Sequence, residues 1–377
     1  MKEKELCVEQ TDRQANRTDA LLALIRDGKP MTFAQRIRLT VLLSVPAVIA
    51  QLSSIVMQYI DAAMVGHLGA EASASIGLVS TTTWLFGGVC SAAAMGFSVQ
   101  VAHRIGAGDM AGARRVLKQS LAATLAFSLF LAAVGCAVSG PLPALLGGDL
   151  AIRSDASLYF FIFSMFLPAI QMSFLAGAML RCSGNMRVPS VMGVAMCVLD
   201  VIFNFFLIFP TRTIELAGMS LSLPGAGLGV GGAALGTAVA EAISAAVLLW
   251  YFWSRSEQLG LRKERARFLP EVSTLRKAFR IGVPMGIEHI VICGAQIMTT
   301  VIVAPLGIFA IAANSFAIMA ESLCYMPGYG IADAATTLSG QCIGAARRRL
   351  ARSFGRITVG MGMSAMFFRT DFRALLF

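Results

Sequence analysis

Charged side chains are scarce in this sequence. Of its 377 residues only 14% are charged, whereas 56% are hydrophobic, and the mean hydropathy is +0.72. Soluble domains carry about 25% charged residues. The composition therefore excludes an ordinary water-soluble globular protein and indicates a surface that faces hydrocarbon.

Metal-binding and disulfide patterns are also missing. The three histidines are scattered, and the eight cysteines show no CxxC spacing. Most cysteines stand within or beside apolar stretches, where we expect them to act as small packing residues. No short apolar leader precedes the first long apolar stretch, because residues 1–36 are polar and mixed in charge. We expect these residues to form a cytoplasmic tail.

Long apolar stretches are what the sequence has instead. Most of them exceed the ~20 residues that a membrane-spanning helix needs, so we predict an all-α polytopic membrane protein. They cover roughly residues 37–60, 74–98, 118–146, 156–181, 188–210, 227–253, 279–304, 309–332 and 355–368.

The net charge of +10 follows from where the basic residues lie. Most Lys and Arg residues fall before the first stretch or in alternate connections, with Arg153 and Arg212 as exceptions. The positive-inside rule then predicts a cytoplasmic N-terminus. The basic clusters at 262–267 (RKERAR) and 346–352 (ARRRLAR) are interpreted as topology signals rather than RNA or lipid head-group sites, so no nucleic-acid partner is expected.

The sequence contains an internal repeat. Residues 44–69 align without a gap with residues 282–307, and residues 103–114 align with residues 341–352 at the same offset of 238 positions. The repeated spans run in the same direction, which gives parallel repeats about an axis along the membrane normal. This arrangement occurs in secondary transporters, and it favours a transporter over an enzyme or a channel.

The second copy is incomplete in this sequence. The first copy contains six apolar stretches, whereas the second ends within the counterpart of its third stretch. The final residues FFRTDFRALLF place three charges, Arg369, Asp371 and Arg373, opposite the apolar segment 131–135. We predict a truncated or frame-shifted second half, with a genuine short variant as the alternative, and expect the chain as written to be poorly stable and inactive in export.

Five motifs together resemble the multidrug and toxic compound extrusion (MATE) family over roughly residues 34–356. The longest is ESLCYMPGYGIADAATTLSGQCIGA, and the resemblance is to bacterial members. The motifs are DAAMVGHLG (61–69), HRIGAGD…ARR (103–115), LRCSGNMRVP (180–189), GVGGAALGT (229–237) and residues 321–345.

The resemblance implies a cation-coupled antiporter in the plasma (inner) membrane that exports organic cations, drugs and other amphipathic small molecules in exchange for H⁺ or Na⁺, without a cofactor. It also implies two six-helix lobes, of which about nine of twelve helices are present. The expected units are a tail (1–36), a first lobe (37–253), a cytoplasmic linker (254–278) and a partial second lobe (279–377). Besides membrane lipid no macromolecular partner is expected, and the chain is expected to be monomeric.

Asp200 and Asn204 stand four residues apart in an apolar span, so they share one helix face. An acid in hydrocarbon costs roughly 2.5–3.5 kcal/mol on insertion scales, which favours a function over a structural clamp. In the family the usual order is Asn first and Asp four residues later, so the order here is reversed. Asp61 matches the family's first-helix cation carboxylate, and the resemblance implies a proton or Na⁺ at Asp61 and Asp200.

Other polar residues follow the same reasoning. Thr237 matches a family threonine that lines the first-lobe cavity, and it stands four residues from Glu241. Gln51 and Gln58 share a helix face with Asp61. In the second copy we interpret Glu288 and Glu321 as residues of a substrate cavity or as helix-pairing acids. The cavity residues predicted less firmly than the cation site are therefore Gln51, Gln58, Glu241, Glu288 and Glu321.

Two further functions stay open. A lipid-linked oligosaccharide flippase would favour a cationic central cavity, whereas the mid-span charges here are acidic. A non-functional fragment is the other alternative, because missing helices would leave polar surface facing lipid.

Overall fold

The computed structural model describes residues 18–216, 219–256, 258–261 and 268–374. The basic cluster at 262–267 lies outside these residues. The helices are α1 (18–26), α2 (Phe33–Gly66), α3 (Ala70–Gly106), α4 (Met110–Ser139), α5 (Leu142–Leu145), α6 (Leu150–Cys182), α7 (Arg187–Ile208), α8 (Gly229–Ser254), α9 (Val272–Val303), α10 (Ile308–Gly344) and α11 (Arg348–Ala374). Two strands, β1 (Pro210–Leu216) and β2 (Met219–Ala226), join α7 to α8.

The predicted all-α membrane architecture is confirmed. Within the described residues, eight helices are long and apolar enough to cross a membrane: α2, α3, α4, α6, α7, α8, α9 (with its short 3₁₀ extension to Leu306) and α10. The ninth apolar stretch, 355–368, is helical as part of α11 but is not among these eight, because the basic first turns of α11 dilute its apolar character.

Local signals explain where several helices begin. A capping box starts α2: the Gln35 amide donates to Thr32 Oγ1 (3.3 Å), and the Thr32 amide donates to Gln35 Oε1 (2.9 Å). The Gly112 amide donates to Asp109 Oδ1 (2.8 Å) at the start of α4.

The β-hairpin is an addition to the predicted fold. The strands pair antiparallel with Leu216 opposite Met219 and Pro210 opposite Ala226, and a register shift falls between Pro210 and Arg212. It occupies the connection that the sequence predicts to lie outside the membrane, where a two-stranded ribbon can satisfy its outer edges with water.

The internal repeat appears as a pseudo-twofold contact between α3 and α10. A Cβ on Gly106 would collide with the Gln341 carbonyl, and a Cβ on Gly344 would collide with the His103 carbonyl. Gly344 lies 238 positions after Gly106, and Gln341 lies 238 positions after His103. The two contacts are therefore one contact repeated about the axis, which is the reciprocity expected of a twofold interface.

The other helix pairs between the two copies are also in close backbone contact at small residues. Along α3 and α9, Gly96 meets the backbone of Ala278, and Gly282 meets the backbone of Ala92. The corresponding pair, α2 and α10, brings Gly330 against the backbone of Val48. Small residues let membrane helices approach this closely, so the two copies are packed against each other through the middle of the molecule.

Helix α1 lies across the end of the molecule where α2 begins. Its residues Leu22 and Ile25 are buried in a cluster with Leu338 and Phe354. Arg347 Nη1 donates to the Leu24 carbonyl (2.9 Å). The described part of the N-terminal tail is thus packed against the second copy.

Candidate functional site

Three side chains from two helices meet where the C-terminal halves of α2 and α7 lie side by side. Asn204 on α7 donates through Nδ2 to Asp61 Oδ1 on α2 (2.9 Å) and to Asp200 Oδ2, one helical turn away on α7 (3.2 Å). The amide of Asn204 therefore bridges two carboxyl groups that are 139 positions apart in the chain. The structure brings together the pair predicted on α7 and the acid predicted on α2.

This cluster is closed to solvent on the α7 side. Asp200 is 0% and Asn204 is 1% exposed, while Asp61 is half-buried. Asp200 Oδ1 and Asn204 Oδ1 are both buried, and neither accepts a hydrogen bond from the described residues. Buried oxygen atoms without a donor are costly, so the cluster has acceptor capacity left for a proton or a cation.

Helix α8 completes the cluster because glycine lets it come close. A Cβ on Gly236 would overlap Asn204 Oδ1. The next residue, Thr237, lies beside Asp200, and its hydroxyl donates to the Ala233 carbonyl (3.2 Å). The Thr237 side chain also lies within hydrogen-bonding reach of the Asp200 side chain, so its hydroxyl can donate to that carboxylate or offer its oxygen to a bound cation.

The surroundings include one residue that the sequence did not single out, Tyr159, beside others that it did. Tyr159 on α6 lies near both Asp61 and Asp200, and Ser54 Oγ lies 3.9 Å from Cys197 Sγ on the α2–α7 interface. Tyr159 stands in a continuous apolar run, so neither its spacing nor its neighbours distinguish it from a core aromatic residue. Glu241, one turn along α8 from Thr237, contacts Ser173 on α6 and lies near Asp200.

The other predicted cavity residues do not join this cluster. Gln51 and Gln58 are half-buried along α2, on the turns before Asp61. Glu288 on α9 and Glu321 on α10 are exposed, with Tyr329 near the first and Tyr325 near the second. The two predicted acids of the second copy therefore lie on the outside of the described helices rather than in a shared site.

Two grooves of about 880 Å³ and 400 Å³ open on the described part of the chain. None of the predicted cavity residues lines either groove. The close approach of α3 to α9 and of α2 to α10 explains this, because the glycine contacts fill the space between the two copies.

The cluster offers oxygen ligands of two kinds. Within the described residues no three His, Cys, Asp or Glu side chains are grouped in a way that would hold a metal ion. A cation at this site would instead be held by the carboxylates of Asp61 and Asp200 and by the neutral oxygens of Asn204 and Thr237. Hard cations such as Na⁺ prefer oxygen ligands of this type, and a proton needs only the carboxylates.

Eight apolar spans, a parallel repeat and two acids joined by a buried amide between the helices define a secondary-transporter type of membrane protein. The MatE family profile matches residues 46–206 and 284–370. The chain belongs to the MatE family, whose members are transporters rather than enzymes.

Individual relatives agree with this assignment. The chain is 27% identical over 328 residues to the probable multidrug resistance protein NorM of Thermotoga maritima, covering 86% of this chain and 67% of that protein. It is 25% identical over 336 residues to the multidrug resistance protein PmpM of Pseudomonas aeruginosa, covering 86% of this chain and 65% of that protein. The chain thus spans about two thirds of the length of these relatives, consistent with the expectation of a partly represented second lobe.

Solved structures show the same fold. A MOP superfamily transporter from Pyrococcus furiosus superposes with a TM-score of 0.80 at 20% identity, covering 94% of this chain and 74% of that one. An outward-facing multidrug resistance MATE family transporter superposes with a TM-score of 0.77 at 19% identity, covering 91% of this chain and 74% of that one.

Proposed function

We propose that the chain carries the cation-coupling site of an antiporter that exports organic cations and other amphipathic small molecules in exchange for H⁺ or Na⁺. The family and the relatives described above, which are named as multidrug resistance proteins, support the transport class. The coupling site is proposed to consist of Asp61, Asp200, Asn204 and Thr237.

One observation carries the proposal: a single buried amide bridges two carboxyl groups from two membrane helices. The amide supplies two hydrogen bonds but no positive charge. Two uncompensated carboxylates in a low-dielectric site are strongly unfavourable, so a proton or a cation has to neutralise at least one of them. Within the described residues, the basic groups that form ion pairs lie elsewhere.

The site joins elements that have to move relative to one another in an exchanger. Asp61 is on α2, Asp200 and Asn204 are on α7, and Thr237 is on α8. When a cation is bound, it links α2 to α7 through the two carboxylates. When the cation leaves, repulsion between the carboxylates favours separation of the helices, and this difference in free energy couples ion binding to a change of shape. Glu241, one turn further along α8, is proposed to receive the cation on its way through the lobe.

The larger organisation is proposed from the sequence. The first lobe would comprise residues 37–253 and the partial second lobe residues 279–377, joined by a cytoplasmic linker at 254–278. The basic connections favour a cytoplasmic N-terminus in the plasma membrane. Tags placed in the 262–267 loop and in the 212–222 connection would label from opposite sides of the membrane if this orientation is right.

Substrate-driven cation movement tests the function. A version of the protein with a completed second lobe, reconstituted in vesicles, is expected to dissipate a pH or Na⁺ gradient when a cationic dye is added, whereas the chain as given is expected to be inactive. Asp200→Asn should abolish the response, whereas Asp155→Asn, an exposed acid at the start of α6, should leave it unchanged. Translocation of a lipid-linked oligosaccharide without dye-dependent cation movement would favour the flippase instead, and a silent chain would favour the fragment.

A further inference from the structure

Three polar residues of α10 form a row that faces the end of α6. Asp333, Thr337 and Gln341 follow one another at intervals of four residues, so their side chains lie on one face of the helix. Each of them contacts the last turn of α6. Because α6 belongs to the first copy of the repeat and α10 to the second, the row joins the two copies.

The contacts of the row combine one ion pair with two hydrogen bonds to the backbone. Arg181 Nε lies 3.4 Å from Asp333 Oδ2. The Thr337 hydroxyl donates to the Arg181 carbonyl (3.0 Å), and Gln341 Nε2 donates to the Cys182 carbonyl (2.9 Å). A helix leaves its last carbonyl groups without a donor of its own, and Gln341 supplies a donor at Cys182.

These contacts are largely shielded from water. Thr337 is 0% and Gln341 is 1% exposed, and the side chains of Arg181 and Asp333 are 28% and 25% exposed. Hydrogen bonds and ion pairs are stronger in such surroundings than on an open surface. Because the three contacts lie in one row, a movement of α10 away from α6 would break all of them together.

The row lies at the end of the molecule where α3, α6 and α10 finish. At the same end Gln100 Nε2 on α3 donates to the Thr274 carbonyl on α9 (3.2 Å), which also joins the two copies. The positive-inside rule predicts that this end faces the cytoplasm. At the opposite end the two copies share an apolar cluster that includes Leu78, Ile311 and Ala312. The copies are thus joined by polar contacts at one end and by apolar packing at the other.

We propose that Asp333, Thr337 and Gln341 form a latch with Arg181 and Cys182, which holds the cytoplasmic ends of the two copies together and opens when the protein changes shape. The role of this latch in exchange rests on the function proposed above, because alternating access requires one repeat to move against the other. The contacts of the latch form or break as a group, which gives the two discrete arrangements that a switching element needs.

A buried thiol in the latch can report its opening. Cys182 is 3% exposed and lies beside Ser98 and Thr337, so it should react with a maleimide only when α10 moves away from α6. Cys90 is 0% exposed within an apolar cluster of the first copy and serves as the internal reference. The measurement is the labelling rate of each thiol in the full chain in membranes, determined by peptide mass spectrometry.

Removal and exchange of the two charges test the ion pair. Asp333→Asn should raise the labelling rate of Cys182 about tenfold, as expected for the loss of a contact between charged groups, while the rate of Cys90 stays unchanged. The exchange Arg181→Asp/Asp333→Arg should bring the Cys182 rate back towards that of the wild type, because it restores an ion pair at the same place. Asp155→Asn, at an exposed position near the other end of α6, is the control and should leave the rate unchanged.

Two adjacent threonines test the hydrogen bonds of the latch. Thr336 and Thr337 both donate to the carbonyl four residues earlier in α10, and Thr337 additionally donates to the Arg181 carbonyl. Thr337→Val should therefore raise the Cys182 labelling rate about fivefold, which is the effect of one ordinary hydrogen bond. Thr336→Val should leave the rate unchanged.

Several outcomes would overturn the proposal. A wild-type rate of Cys182 labelling in Asp333→Asn would show that the ion pair does not hold the two copies together. A charge exchange that labels as fast as Asp333→Asn would assign the effect to a disturbed helix, and equal rates in the two threonine variants would exclude the hydrogen bond. If the Asp333 variants fail to fold, the threonine pair still decides. Because labelling uses neither an ion gradient nor a substrate, failure of the proposed transport function would leave this test of the latch intact.

Discussion

The two copies of the repeat share their backbone packing but differ in their polar chemistry. In the first copy Asp61 meets Asn204 and Asp200 inside the molecule. The position 238 residues after Asp61 is Thr299, which is exposed and whose hydroxyl donates to its own helix at the Ala295 carbonyl. Two acids of the second copy, Glu288 and Glu321, are exposed as well, and a third, Asp333, is paired with Arg181. The two copies thus keep the glycine contacts between their helices, while the acid at Asp61 is replaced by a threonine at the matching position of the second copy.

The helix packing shared by the two copies and the polar side chains of the site are under separate physical constraints. The reciprocal contacts of Gly106 and Gly344 require only small residues at crossing points, and both copies satisfy that requirement. A buried carboxylate pair needs an amide bridge, a neutralising cation and a close third helix. In the first copy the two carboxyl groups, the amide and α8 come together. The positions 238 residues after Asp200, Asn204 and Thr237 fall after residue 377, so the comparison between the copies applies to Asp61 and Thr299.

The largest expected effect is at the buried acid. Asp200→Asn should lower dye-dependent cation flux by about tenfold or more, equivalent to ~1.4 kcal/mol or more, since one of the two charges that need neutralising is gone. Thermal stability should hold or rise, because a neutral group costs less to bury. Glu288→Gln, in the second copy, should change flux by less than about twofold on the same free-energy scale. Equal losses in the two variants would remove the distinction between the copies.

The next effect concerns packing between the copies. Gly96→Ala places a methyl group against the backbone of Ala278, whereas Gly87→Ala on the same helix meets open space. Overpacking at such a contact costs about 1–3 kcal/mol, so Gly96→Ala should lower the thermal denaturation midpoint in detergent. Gly87→Ala should leave it unchanged or raise it, because alanine is the better helix former. A stable Gly96→Ala variant would mean that α3 and α9 are not held this closely.

A smaller effect is expected from the hydroxyl beside Asp200. Thr237→Val should weaken cation binding by roughly threefold to tenfold, which corresponds to the ~1 kcal/mol of a typical polar contact. The control is Thr299→Val, since both hydroxyls donate to the carbonyl four residues earlier and only Thr237 lies near a carboxylate. Radiolabelled Na⁺ binding and proton uptake in nanodiscs measure both variants, and equal effects would exclude Thr237 as a ligand.

The smallest effect compares two helix starts. The Gly112 amide donates a hydrogen bond to the Asp109 carboxylate, and Arg104 forms an ion pair with the same carboxylate. These two contacts together hold the pKa of the Asp109 carboxyl below its usual range. The stabilisation is therefore present above the ordinary pKa of an Asp and is lost as the pH falls through the lowered pKa. Asp109→Ala should lower the free energy of unfolding by ~1 kcal/mol or less, whereas Asp109→Asn should keep most of the wild-type stability because asparagine also caps helices.

The repeat position of Asp109 is Arg347, whose guanidinium instead donates to the Leu24 carbonyl. Helix α11 should therefore show no acid-dependent loss in hydrogen-exchange protection, while the first turn of α4 does. Matching pH dependence at both helix starts would contradict the difference in capping.

The fold can be predicted from the sequence because long apolar runs specify membrane helices. The constant repeat offset, which pairs Pro46 with Pro284 and Gly69 with Gly307, further predicts that the two copies have the same helix order. The sequence does not predict the hairpin of β1 and β2, because short segments such as MSLSL are also compatible with a loop between two membrane helices. The α7 pair was predictable because an acid and an amide four residues apart share a face.

Partners across helices were not predictable in the same way. Nothing in the spacing of Tyr159 shows that it approaches Asp61 and Asp200, because that approach depends on how α6 crosses α2 and α7. The exposure of Glu288 and Glu321 likewise depends on which helices cover α9 and α10. The spacing of residues in the sequence shows which side chains share a face of one helix. Which side chains meet across two helices depends on how the helices pack.

The central claim is that Asp61 and Asp200 together hold one exchangeable cation. The most direct measurement is the number of cations bound per chain, from proton uptake and Na⁺ binding in nanodiscs, in the wild type, Asp200→Asn and Asp200→Asn/Asn204→Asp. The account predicts one cation in the wild type, none in the single variant, and partial recovery in the double variant, where a carboxylate returns to the same helix face one turn away. Full binding in Asp200→Asn would contradict it.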